Sequence, residues 1–231
     1  TLDTEASETE CVINEVCGGI RHFDKAKTNL MSTITTYQRL QMAQKTIDEL
    51  EVLVQLQSFG EAAPRLLALR SLMEFFENYE PSAILSEIQL RFEKVLRDTK
   101  SILICTFSNS LFEAVVDPSL RDACYMVDAI GSSFRESIVE MFCDRFIEPY
   151  TQRFTTTPLE EIERRYNWLK QSIDLYNIDF AKVFPDEWKV KYNLSRYFCV
   201  ITRQHIEAIL RTKPSQKEFQ FGFEKTALFE K

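Results

Sequence analysis

The sequence predicts an all-α chain: an elongated stack of antiparallel helices forming a rod, with a coiled-coil-like helix at its N-terminal end. Three observations carry this. Apolar residues recur three and four positions apart over long stretches, which keeps them on one face of a helix. No run of a strand's length alternates apolar and polar residues with period two. Only five glycines and seven prolines occur in 231 residues, and the prolines stand between most of the periodic runs, as joints between long helices do. With 45% apolar residues, the chain can bury a core of its own, as one elongated domain or two small ones.

The elements follow in order. Residues 1–11 are acidic and hydroxyl-rich, a start expected to fray. From Ile13 the apolar positions Val16, Ile20, Phe23, Leu30, Ile34 and Tyr37 form a seam of 3.5-residue period, interrupted only by Lys27 and Gln41. After Tyr37 the stripe steps early to Leu40, Ala43, Ile47, Leu50 and Val54. That three-residue slip is a stammer, which rotates the packing face without ending the helix. Gly18-Gly19 lies inside the seam and costs about 2 kcal/mol relative to two alanines, so a kink or the true helix start is expected there.

Residues 58–61 read as a joint. A second helix is predicted from Glu61 to Tyr79, with Pro64 in its first turn, where no intrahelical N–H bond is lost. Glu80-Pro81 stops it. A long helix then spans Ser82 to Val116, with Leu85, Ile88, Phe92, Val95, Ile102, Leu103, Phe107 and Leu111 inward. Asp117-Pro118 breaks it, and a shorter helix runs to Ile130, where Gly131 serves as the C-terminal glycine. Ser133 and Glu136 suggest a capping box for a helix from Phe134 to Phe154 that Pro149 kinks or ends. Thr157-Pro158-Leu159-Glu160 opens the next, with Ile162, Tyr166, Leu169, Ile173 and Tyr176 on one stripe. Phe184-Pro185-Asp186-Glu187-Trp188 opens another toward Leu210. Pro214 closes that one, and residues 219–231 keep a helical pattern. The expected organisation is a seam helix over 1–57 and a rod of about seven helices over 58–231, continuing beyond this stretch. No fixed-period repeat of the solenoid kind is present.

Composition excludes several classes. A net charge of −7, with no concentrated basic patch, argues against a nucleic-acid surface. The run from Ile102 to Val116 is too short and too polar to span a bilayer, and no signal-peptide pattern opens the chain. The six cysteines (Cys11, Cys17, Cys105, Cys124, Cys143, Cys199) lack metal-site spacing. They are expected to be reduced, buried, small apolar side chains of a cytosolic protein.

No chemistry stands out. His22 lies beside the seam, and His205 follows the stripe of Leu194, Phe198 and Ile201, both read as core or edge histidines. There is no phosphate loop, nucleophile elbow or metal-binding helix motif, so no catalytic residue, cofactor site or metal site is expected. Glu160-Glu161 is explained by the dipole at a helix start. The aromatics Tyr166, Trp168, Tyr176, Phe180, Phe184 and Trp188 read as an interhelical core cluster rather than a ligand pocket. Asn193-Leu194-Ser195 matches a glycosylation sequon, discounted in a reduced helical protein.

Several stretches resemble a known family. Phe23-Asp24-Lys25-Ala26-Lys27-Thr28-Asn29-Leu30 with Ser32-Thr33-Ile34-Thr35-Thr36 is similar to the vacuolar protein sorting-associated protein fifty-three family. So are Leu120-Arg121-Asp122-Ala123-Cys124, Ile162-Glu163-Arg164-Arg165-Tyr166-Asn167-Trp168-Leu169-Lys170 and Phe184-Pro185-Asp186-Glu187-Trp188. Order and spacing agree from Ile20 to the end. The resemblance implies stacked helical rods, as in exocyst and conserved oligomeric Golgi subunits, and no catalytic activity. It implies a hetero-oligomeric subunit of the Golgi-associated retrograde protein complex and its endosomal counterpart. Such a subunit captures endosome-derived vesicles at the trans-Golgi network and supports SNARE assembly. It sits in the cytosol and is peripheral at trans-Golgi and endosome membranes through the complex, with SNARE proteins and small GTPases as further partners.

The candidate partner interface is Ile20, Phe23, Leu30, Ile34 and Tyr37. The alternative for the same residues is packing against the second or third helix of this chain. A reading of another class, an all-helical small-GTPase regulator, needs an exposed arginine, for which Arg164-Arg165 is the candidate. Both arginines otherwise read as a solvated face. A subunit of a related tether is a third reading.

Overall fold

Helix α1 (Leu2–Gln55) continues without a break through Gly18 and Gly19. The computed structural model describes residues 2–80, 82–110, 119–155, 158–212 and 215–229, giving the backbone alone for 2–12 and 110. The glycine pair does not mark a helix start. Glycine keeps its backbone hydrogen bonds, its penalty is about 1 kcal/mol each, and no contact there demands a bend, since a Cβ on either would meet nothing within 4 Å. The acidic opening, expected to fray, is helical too.

Gln57 ends α1 in the left-handed conformation (φ 56°). The Ser58 N–H reaches the Leu53 carbonyl at 3.0 Å and the Gln57 N–H reaches Val54 at 3.1 Å, the paired bonds of a Schellman close. Helix α2 (Phe59–Phe76) starts at once, two residues earlier than the spacing suggests. Pro64 therefore lies beyond the first turn, inside the helix.

Helix α2 folds back on α1, and α3 (Ala83–Ser110) packs against α1 as well. Ile88, Val95, Leu103 and Phe107 of α3 are buried, with Leu85, Phe92 and Ile102 half-buried beside them. Helix α4 (Leu120–Ile130) packs on α2, and Gly131 closes it with φ 135°. The predicted positions Leu111, Asp117-Pro118, Thr157, Pro81 and Pro214 lie outside the described residues.

Helix α5 (Ser132–Phe154) begins directly after Gly131. Ser133 is thus already helical and caps nothing, so the capping box proposed for Ser133 and Glu136 does not form. Pro149 lies within α5 and does not end it. A 3-10 turn at Leu159–Glu161 precedes α6 (Ile162–Asp179), with Pro158 extended ahead of it. A second 3-10 turn, Asp186–Trp188, leads through left-handed Lys189 (φ 50°) into α7 (Val190–Arg211). Helix α8 (Gln216–Phe229) opens with a reciprocal cap: Ser215 N–H to Glu218 Oε2 at 2.7 Å, and Glu218 N–H to Ser215 Oγ at 3.3 Å.

One core runs through the stack, from Ala43 and Ile47 on α1 to Leu194 and Phe198 on α7. Its middle is aromatic. Phe142 meets Phe184 at 4.8 Å and Phe180 at 5.1 Å between ring centroids, while Tyr150 meets Trp168 and Phe198 at 4.9 Å each. The aromatic stripe read from the sequence is this core. Eight α-helices and no strand occur among the described residues, an all-α helical rod.

Candidate functional site

The two halves of α1 differ in what covers them. Ala43, Ile47 and Leu50 are fully buried, and Val54 nearly so. Salt bridges brace this half: Arg91 of α3 holds Asp48 and Glu51 at 2.7 Å each, and Arg65 of α2 approaches Glu49 at 3.6 Å. Toward the N-terminus the contacts with α2 and the turn after it reach Arg39, whose guanidinium lies 3.8 Å from the centre of the Phe75 ring, and Thr36, whose hydroxyl is 3.2 Å from that of Tyr79.

From Tyr37 toward the N-terminus the seam is bare. Ile20, Phe23, Leu30, Ile34 and Tyr37 are all exposed, from 49% at Ile34 to 79% at Phe23, and Ile13 and Val16 share their exposure. Neither α2 nor α3 covers these positions. The change from bare to covered falls at the stammer, because the slip after Tyr37 turns the apolar face by part of a turn. The rotated stripe, Leu40 to Val54, is the one that meets α2 and α3.

The flanks of the bare seam suit helix packing. Gly19, Ala26 and Thr33, seven residues apart along one edge, are small and uncharged. Thr28, Thr33, Thr35 and Thr36 each donate their hydroxyl to the carbonyl four residues back, at 2.8 to 2.9 Å. Their polarity is satisfied within the helix.

A second polar feature departs from expectation. Arg165 is not on a solvated face: it is 1% exposed. Its guanidinium donates to the Phe154 carbonyl at 2.8 Å and the Tyr150 hydroxyl at 3.2 Å, and stands 3.2 Å from His205 Nδ1. Tyr150 in turn bonds Thr202 at 2.5 Å. Burial and the adjacent Arg165 cation push the His205 pKa below its ordinary 6.5. Arg164 points outward and pairs with Glu161 at 2.8 Å. No free arginine pair is offered to a nucleotide here.

The cysteines also divide. Cys124 and Cys143 are buried, and burial pushes both thiols up to about 12, far from nucleophilic use. Cys17, Cys105 and Cys199 are exposed, contrary to the expectation of burial. A cleft of about 450 Å³ between α5 and α7 mixes Arg135, Lys189 and Arg196 with Glu136, Glu140 and Glu187 around Trp188. The Trp188 indole N–H is already bonded to Asp128, which also pairs with Arg135. Among the described residues no group of histidines, cysteines and carboxylates could hold a metal. No described helix is long and apolar enough to cross a membrane.

The family model described as "Vps53, N-terminal" matches residues 1–231. Vacuolar protein sorting-associated proteins 53 A and 53 B of Arabidopsis thaliana are 32% and 27% identical over the whole chain, which spans 29% and 42% of their lengths. Vacuolar protein sorting-associated protein 53 of Saccharomyces cerevisiae is 25% identical, and the chain covers 30% of it. No solved structure matches the chain.

Proposed function

Because the chain belongs to the Vps53 family, we propose that it is a non-catalytic section of a vesicle-tethering subunit. In this reading it works within the Golgi-associated retrograde protein complex, in endosome-to-trans-Golgi transport. The rod gives length, and the bare half of α1 gives a surface for other subunits. The observation that carries the reading is the uncovered seam of Ile20, Phe23, Leu30, Ile34 and Tyr37 on a helix whose other half is anchored in the core. An apolar stripe of this length exposed to water is the usual mark of a protein-binding face.

By role the chain then divides into a seam helix, residues 1–57, and the rod, residues 58–231. The complex holds it in the cytosol and at the surface of trans-Golgi and endosome membranes. Contacts to SNARE proteins and small GTPases belong to the assembled complex. Purification of the tagged chain from cell lysate, with mass spectrometry of what stays bound, tests the reading. Recovery of the other retrograde-complex subunits is expected. Recovery of exocyst subunits instead would contradict it.

A further inference from the structure

Lys27 stands in the line of the seam, four residues after Phe23 and three before Leu30, on continuous α-helix. Its side chain is exposed, and it makes no ion pair among the described residues, although Asp24 lies one turn back. We propose that Lys27 selects the occupant of this face: a heterologous helix presenting a carboxylate opposite it, and not a second copy of this chain. The proposal rests on the seam being a partner face.

The argument compares what each occupant does to the ammonium. A second copy aligned parallel and in register sets Lys27 against Lys27, two like charges in an apolar groove. An antiparallel copy sets it against apolar seam residues such as Phe23 or Leu30, which desolvates a charge without a partner. A foreign helix with Asp or Glu at the facing position satisfies the charge and fixes the register, since any slip of a turn unpairs it. Between Ile13 and Tyr37 Lys27 is the one charged residue in the line of the seam, so a facing carboxylate is its complementary group.

The test needs no identified partner, because the complementary charge can be supplied by the chain itself. Sedimentation velocity is measured on the 231-residue chain as wild type, as Lys27→Glu, as Lys27→Leu and as an equimolar mixture of wild type and Lys27→Glu. Circular dichroism confirms equal helix content. The expected result is that wild type and Lys27→Glu each stay monomeric. The mixture should pair at least about tenfold more tightly than either alone, and Lys27→Leu should self-associate. A mixture no tighter than its components, while Lys27→Leu self-associates, overturns charge selection and leaves the seam as a partner face. Wild type pairing as tightly as the mixture also overturns it. Failure of every sample to associate, Lys27→Leu included, overturns it together with the partner-face reading.

Discussion

Arg165 is held between α5 and α7 by Phe154, Tyr150 and His205, and the aliphatic part of its side chain fills space within the core. Arg165→Ala removes these bonds and leaves a cavity. It should cost about 3 kcal/mol, read as a lower denaturant midpoint. His205 adds a pH dependence. Its folded pKa lies below the ordinary 6.5, so the unfolded chain binds this proton more readily. The stability tied to His205 is complete above about pH 6.5 and is lost as pH falls from there toward the folded value. His205→Gln should flatten that acid limb in denaturation curves taken at several pH values. The burial of Arg165 was legible in spacing: Ile162, Arg165, Leu169, Ser172 and Tyr176 recur three and four apart on the inner face of α6. Reading Arg164 and Arg165 as a pair hid this, because adjacent helical residues point about 100° apart.

At the scale of elements, helix existence followed from periodicity, and helix ends followed from capping geometry that composition shows only in part. Ser133-Phe134-Arg135-Glu136 and Ser215-Gln216-Lys217-Glu218 carry the same Ser-x-x-Glu pattern, yet only the second caps its helix. The difference lies in what precedes them. Gly131, with φ 135° and ψ 167°, delivers the chain into α5 two residues early, so Ser133 is already inside. The close of α1 shows the converse, since nothing in Gln57 announces a left-handed residue. An L side chain there costs about 1 kcal/mol. Gln57 is exposed, so Gln57→Gly should raise stability by up to about 1 kcal/mol, visible as a higher denaturant midpoint with unchanged slope.

The whole molecule is a rod with one helix half inside it and half outside. The stammer after Tyr37 located the division in the sequence, since the apolar stripe there changes face. Which half would be covered was not legible. Ile20, Leu30 and Ile34 before the slip look the same in composition as Ile47, Leu50 and Val54 after it. Periodicity says that a helix has an apolar face, and only the tertiary fold says what lies against it. Here α2 and the turn after it reach Arg39 and Thr36 on α1, and the seam residues before them are exposed. The central claim is that the bare half serves partners and not the fold. The most direct measurement is on the double variant Leu30→Asp, Ile34→Asp: its thermal unfolding, and the recovery of tether subunits with it from lysate. The account predicts a midpoint within about 2 °C of wild type, as for exposed substitutions, with subunit recovery lost. A markedly lower midpoint, or recovery equal to wild type, would contradict it.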